Sequence, residues 1–214
     1  MPQFECEAII FDMDGVLVDS EVLNEKHWKL WAEKEHVSLE WIMSIHHGVP
    51  AEQTITTVAP HLDAATEARW FEENLSKDLD GLLAFEGVHE LLSGLPEGKW
   101  AIGTSAPKII AFNRMEYLKL PVPPVVVTID DVENGKPAPD PYLKAARGMG
   151  IDPEHCIVIE DAPAGIKAAK TAGARVIAIP TTNGADALSE ADAVVSRFAD
   201  IAVAVNGERL AVSW

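Results

Sequence analysis

The sequence predicts an α/β protein: a doubly wound parallel sheet, interrupted straight after its first strand by an all-helical insert. Three observations carry that prediction. Residues 8–11, 100–103, 125–129, 156–159 and 175–179 are largely apolar runs, the pattern of strands buried on both faces under helices. From about Phe85 onward these runs alternate with helical stretches of roughly ten residues, as right-handed β-α-β crossovers require. Between 20 and 83 no strand-like run occurs, and a plain crossover needs far fewer residues.

The first strand, Ala8-Ile9-Ile10-Phe11, runs into Asp12-Met13-Asp14-Gly15. Residues i and i+2 of an extended chain point the same way, so both carboxylates can face one site while Gly15 turns the chain. In open α/β sheets ligands bind at the carboxyl ends of the strands, where these acids would lie. Ser20 then reads as the N-cap of a helix whose Val22, Leu23, Trp28, Leu30 and Trp31 share a face. Gly48-Val49-Pro50 breaks the pattern, which resumes over 51–58 and 64–79.

Beyond the insert, helices are expected over 88–95, 107–117, 140–149, 164–172 and near 185–190, with a short strand at 193–195. Asp140 reads as an N-cap with Pro141 in the first turn, where its missing N–H costs nothing, and Gly173 as a C-terminal stop. At the end, 202–205, Asn206-Gly207 and 210–212 predict a hairpin with a type I′ turn.

Composition narrows the function classes. At 214 residues and 48% apolar, the chain is one domain of ordinary size or a core with a smaller insert, well able to bury a core. Against 34 acids stand 17 lysines and arginines, a net charge of −17, which argues against nucleic acid or an anionic membrane as partner. A small anionic substrate stays compatible, because a bound cation reverses the local field. No apolar run reaches the roughly 20 residues of a membrane span, and the N-terminus lacks a secretory pattern, so a cytoplasmic location is expected. Cys6 and Cys156, isolated from each other, read as buried thiols in a reducing compartment. With no exposed apolar stripe, a monomer is expected.

Four buried strands end on reactive residues. Besides Asp12 and Asp14, the run 100–103 ends on Thr104-Ser105, an acidic loop leads to Gly135-Lys136-Pro137, and 156–159 ends on Glu160-Asp161. Singly, each has a structural explanation as a helix cap, a loop lysine or the first polar residue past a strand. Together they would put several acids, hydroxyls and a lysine at one edge of the sheet.

In order and spacing, these four stretches resemble the motifs of the haloacid dehalogenase superfamily, and the resemblance covers essentially the whole chain. It implies a Rossmann-like core (1–19 and 84–214) with a helical cap (20–83). Gly135-Lys136-Pro137-Ala138-Pro139-Asp140-Pro141-Tyr142-Leu143 and Glu160-Asp161-Ala162-Pro163-Ala164-Gly165 are most similar to glycerol-phosphate and 2-deoxyglucose-6-phosphate phosphatases and to β-phosphoglucomutases. The resemblance assigns the nucleophile to Asp12, which would form an aspartyl-phosphate and divide one hard displacement into two easier ones. Asp14 would protonate the leaving alcohol and then deprotonate the attacking water. Two carboxylates facing a phosphate dianion call for a cation. Mg²⁺ suits oxygen ligands, here the side chains of Asp12 and Asp161, the backbone carbonyl of Asp14, and Glu160 directly or through water. Thr104, the backbone of Ser105 and Lys136 would hold the phosphoryl oxygens.

In relatives a cap loop around Gly48 carries a cation that grips the distal part of the substrate; this chain has Pro50 and Ala51 there. That departure weakens the phosphomutase reading, which needs a second phosphate site. His46 and His47 either reach the cleft or, as is commoner in a polar helical region, are solvated or capping. Trp28, Trp31, Trp41 and Trp70 are taken as packing for the insert. The expected activity is therefore a Mg²⁺-dependent phosphatase of small sugar or polyol phosphates, a small phosphorylated metabolite being the partner. A phosphomutase with the same core is the alternative. A receiver domain shares the Asp, Thr and Lys but is much shorter and has no helical insert, and a non-catalytic phosphate-binding protein would not need every catalytic position filled.

Overall fold

The computed structural model describes residues 2–214. The chain starts with β1 (Gln3–Cys6), β2 (Ala8–Phe11) and β3 (Val18–Asp19). Four helices follow, α1 (Glu21–Glu35), α2 (Leu39–Met43), α3 (Ala51–Val58) and α4 (Ala64–Leu75). After β4 (Leu83–Ala84) come α5 (Val88–Gly94), β5 (Trp100–Gly103), α6 (Lys108–Leu118), β6 (Val126–Val127) and α7 (Asp140–Met149). Then follow β7 (Cys156–Glu160), α8 (Pro163–Ala172), β8 (Arg175–Ala178), β9 (Ala193–Val194), β10 (Ala202–Asn206) and β11 (Arg209–Ser213).

Six strands form the expected parallel sheet in the order β6-β5-β2-β7-β8-β9, with β2 between β5 and β7. The pleat sorts β2 between two cores. Ala8 and Ile10 face an alanine-rich layer with Ala145, Ala146, Ala168 and Ala169 of α7 and α8. Ile9 and Phe11 face a larger cluster with Trp100, Ile110 and Met115, continuous with the buried Trp28, Trp31, Ile55 and Phe71 of the helical insert. The insert is all-helical, and β3 pairs antiparallel with β4, so the chain leaves and re-enters the sheet unit at adjacent points.

Several expected elements differ in detail. The strand expected over 125–129 shortens to β6, because the Asp131 carboxylate accepts from both the N–H and the hydroxyl of Thr128, at 3.0 and 2.8 Å, and turns the chain. Helix α4 stops at Leu75; past it Asp78 is drawn to Lys26 and His27 on α1, at 2.6 and 2.9 Å. Asp140 is the first helical residue of α7, its side chain accepting from Asn134, and 185–190 holds only a 3₁₀ turn, Ala185–Leu188. Ser20 precedes α1 but does not cap it with its side chain. The buried face of α1 is Leu23, His27, Trp28, Trp31 and Ala32, while Val22 is 78% exposed, Leu30 48% and Trp41 46%.

The hairpin is present but turns one residue later than expected. Asn206 pairs with Arg209, so the loop is Gly207-Glu208. Gly207 has φ +64° and Glu208 has no positive φ, which fits a type II′ turn rather than I′. That hairpin accepts β1, a strand not foreseen, as a third member in the order β1-β11-β10. Both cysteines are free and buried. No helix among the described residues is long and apolar enough to cross a membrane.

Candidate active site

The carboxyl ends of β2, β5 and β7 meet in a cleft under the helical insert. Asp12 follows β2 directly and is 3% exposed. Lys136, fully buried, reaches between β2 and β7, with Nζ 2.9 Å from Asp12 Oδ1 and 2.7 Å from Glu160 Oε1. The first contact is an ion pair at an angle that makes no hydrogen bond, so Asp12 Oδ1 lacks a hydrogen-bond partner.

Glu160 ends β7 and is held on every side. Its Oε1 accepts from Lys136 Nζ and from the Tyr142 hydroxyl, each at 2.7 Å. Its Oε2 accepts from the N–H groups of Asp161 and Ala162 at 2.8 and 2.9 Å. The Lys136 ammonium also sits 4.9 Å from the centre of the Tyr142 ring. Gly165 lets this happen, since a Cβ there would overlap the Glu160 carboxylate; a Cβ on Gly15, at φ +77°, would overlap that of Asp161.

Burial and like charge set the proton affinities. Burial raises the Asp12 carboxyl to about 8; Lys136 opposes this, while Glu160 and Asp14 add to it. Burial raises Asp161 far above the carboxylate range, with the charges of Glu160 and Asp12 reinforcing it. Glu160 lies below that range, because Lys136 and the hydrogen bonds from Lys136, Tyr142 and Ala162 outweigh its burial. Burial works against the Lys136 ammonium, but Asp12 and Glu160 hold it charged. One oxygen of each of Asp12, Glu160 and Asp161 lies within 4.8 Å of the others. Three buried carboxylates against one lysine leave excess negative charge, and an all-oxygen donor set with an unpartnered Asp12 Oδ1 fits a small hard cation.

Thr104 and Ser105 follow β5 in the cleft wall. The buried Thr104 Oγ1 accepts from the Ala106 N–H at 3.0 Å, and Ser105 Oγ donates to the Gly48 carbonyl at 2.9 Å. Gly48, at φ +73°, packs so closely on the sheet unit that a Cβ would sit 2.7 Å from Ala162 Cβ. Gly135 meets Pro50 in the same way, at 2.6 Å from a Cβ. Asp14 is turned aside from Lys136: its Oδ1 accepts from Ser20 Oγ and Arg114 Nη1. His46 and His47 do not stand free in solvent. Both line the cleft, His46 buried with Nε2 unpartnered and His47 bonded to Glu21 at 3.0 Å.

Sequence reasoning missed Tyr142, Thr182 and Arg114. Thr182 Oγ1 donates to the Asp161 carboxylate, and Arg114 is 2% exposed in the middle of α6. Tyr142 lay inside a quoted motif, where a hydroxyl on an otherwise apolar helix face was the available signal. For Arg114 the signal was a cation among apolar residues of a helix.

These features define the class: a doubly wound α/β core whose strand ends converge on buried carboxylates and a lysine. The chain belongs to the haloacid dehalogenase-like hydrolases, whose family pattern matches residues 9–179. It is 35% identical over 206 residues to hexitol phosphatase A of Escherichia coli, covering 92% of this chain and 94% of that one. To glycerol-1-phosphate phosphohydrolase 2 of Saccharomyces cerevisiae it is 32% identical over 215 residues, covering 92% and 84%. The fold matches the crystal structure of a β-phosphoglucomutase from Clostridium difficile with a TM-score of 0.78, at 21% identity and covering 91% and 92%.

Proposed function

We propose that this enzyme is a Mg²⁺-dependent phosphatase of small, otherwise uncharged sugar or polyol phosphates, acting through an aspartyl-phosphate on Asp12. The observation that carries the reading is the buried Asp12 oxygen with no hydrogen-bond partner, beside Lys136, on a carboxylate that comes within 4.8 Å of oxygens of Glu160 and Asp161. The hexitol and glycerol-1-phosphate activities in the names of its relatives supply the substrate class.

In this reading 1–19 and 84–214 form the catalytic core and 20–83 the cap. Asp12 attacks phosphorus, and Asp14 gives a proton to the departing alcohol oxygen and takes one from the water that later attacks. Thr104, the backbone N–H of Ser105 and Lys136 neutralise the phosphoryl oxygens as charge gathers there. Mg²⁺ would be held by Asp12, Asp161 and the carbonyl of Asp14, supplying the charge that lets an anion approach two carboxylates. Glu160, with both oxygens already accepting two bonds each, organises Lys136 and would support the ion indirectly.

Beyond Asp12 and Asp14, the cleft presents Glu21, Asn24, His47, Glu72 and Arg114, with Gly48 contributing backbone. Apart from the buried Lys136 on its floor, Arg114 is the one lysine or arginine among the described residues lining it, and it is paired with Asp14. A carboxylate or second phosphate finds no free cation there, whereas hydroxyl groups find donors and acceptors. This favours a neutral polyol end over the bisphosphate that a phosphomutase must hold.

The test is phosphate release from a panel of hexitol, glycerol, hexose and bisphosphate esters, with Mg²⁺ and with a chelator. Metal-dependent release, fastest for monophosphates of neutral polyols or sugars, is expected. Isomer interconversion without release, or release that survives chelation, would overturn the reading.

A further inference from the structure

Arg114 lies on α6 in the core unit and is almost wholly buried, yet nothing in the chemistry above uses it. Its Nη1 donates to Asp14 Oδ1, and its Nη2 donates to Asn24 Oδ1 at 3.3 Å, on α1 of the helical insert. Asn24 Nδ2 in turn donates to Ser20 Oγ at 3.2 Å, and Ser20 Oγ donates back to the same Asp14 oxygen. The four side chains close a ring. Two members, Asp14 and Arg114, belong to the sheet unit; the other two, Ser20 and Asn24, sit at the start of the first insert helix.

The ring grips one oxygen of Asp14 and leaves the other free. Oδ2 has no hydrogen-bond partner among the described residues, and the Asp14 side chain keeps 29% of its surface exposed to the cleft. A carboxyl that passes a proton in both directions needs a fixed orientation and one oxygen within reach of the reacting atom. A planar guanidinium can bridge two acceptors in fixed directions, which an ammonium on a flexible stem cannot do as well.

We propose that Arg114 is a positioning residue. It orients Asp14 for proton transfer and, through Asn24, makes that orientation depend on the seating of α1. The proposal rests on the reading of Asp14 as the proton donor and acceptor. In the first displacement the ester P–O bond breaks, the aspartyl O–P bond forms, and the leaving oxygen takes the Asp14 proton. In the second, water oxygen bonds to phosphorus, the aspartyl O–P bond breaks, and the water proton returns to Asp14. A leaving group that departs as a stable anion does not need the first of these protons.

The experiment compares single-turnover phosphorylation by an alkyl phosphate the enzyme turns over, glycerol 1-phosphate being the first choice, with that by p-nitrophenyl phosphate. The variants are Arg114→Leu, Arg114→Lys, Asn24→Ala and Asp14→Asn, each checked for its melting temperature. General acid catalysis contributes about 10²–10⁴-fold, so Arg114→Leu should slow the alkyl ester ~10–100-fold and p-nitrophenyl phosphate less than ~3-fold. Arg114→Lys and Asn24→Ala should show the same selectivity at ~3–10-fold, with KM little changed. If Arg114→Leu does not fold, those two variants decide. Equal losses on both esters, or no loss, would mean that Arg114 only supports the fold. Asp14→Asn separates the two ideas: selective there but not in the Arg114 and Asn24 variants, and positioning falls while the acid stands. Without selectivity in Asp14→Asn, the reading of Asp14 itself falls.

Discussion

The floor and the cap wall of the cleft are built by opposite rules. On the floor, Lys136 lies fully buried between two carboxylates and both oxygens of Glu160 accept two bonds each, so that Asp12 Oδ1 alone in this network is left without a hydrogen bond. On the wall, buried and half-buried polar groups are left half-compensated. His46 Nε2 has no partner, and burial, with the neighbouring His47, lowers its pKa to about 4. Burial, reinforced by Asp130 and Glu52, raises Glu72 to about 7. A satisfied network fixes one geometry, whereas partly satisfied polar groups remain available to a ligand. The floor is thus suited to a single reaction, and the wall to reading the variable part of a substrate.

The sharpest test of that division is Asp12→Asn. Losing the proposed nucleophile should reduce turnover by ~10³-fold or more. It should leave the fold intact, because the change removes one of three crowded buried carboxylates. Circular dichroism and phosphate release check both halves, and activity near the wild-type level would remove Asp12 from its role. Lys136→Met should strike the fold as well, since it leaves Asp12 and Glu160 buried without their cation. Breaking a buried pair costs about 3–5 kcal/mol. The loss should show in urea unfolding of the metal-free protein, and added Mg²⁺ should recover part of it. An unchanged midpoint would mean that the floor is far less tightly balanced than its distances indicate.

Gly165→Ala comes next. Its Cβ would overlap the Glu160 carboxylate, so the side chain that organises Lys136 must move, for an expected loss of about 2–3 kcal/mol together with activity. Gly184→Ala is the control, because a Cβ there meets nothing within 4 Å. It should stay within about 0.5 kcal/mol of wild type. Backbone entropy favours alanine at both positions, so similar losses in both would show that the effect of Gly165 does not come from its clash with the floor.

The difference between floor and wall also explains what could be read from sequence. Asp12, Lys136, Glu160 and Asp161 sit at or just beyond strand ends or in the loops beside them, and apolar runs followed by polar residues mark such places in one dimension. The sheet and its order of elements followed from the same runs. The partners that complete the floor did not. Tyr142 and Arg114 lie within helices, and they meet Glu160 and Asp14 across 18 and 100 residues, through packing that no local pattern encodes. On the wall, Leu23, Trp28 and Trp31 of α1 are buried as expected, but the apolar pattern missed His27 inside and placed Val22 and Leu30 wrongly, since both are outside. The type of the terminal turn escaped as well, since a one-residue shift of register moves Gly207 from the second loop position to the first.

Glu72→Gln probes the wall with the smallest expected effect. Burial raises the folded-state pKa of Glu72 from 4.5 to about 7, so folding favours its protonated form. Below about pH 4.5 the side chain is neutral in folded and unfolded chains alike, and glutamine should behave like the native residue. Between that pH and 7 the unfolded chain gives up its proton while the folded one retains it, and stability falls as pH rises. Above 7 the folded protein carries the charge at a standing cost. The melting temperature of Glu72→Gln should therefore match wild type at pH 4.5 and exceed it by a few degrees at pH 8, with the gap opening between. A constant difference across that range would mean that Glu72 is as well solvated as an ordinary surface acid. The cap wall would then be compensated by water, and the contrast with the floor would rest on His46 alone.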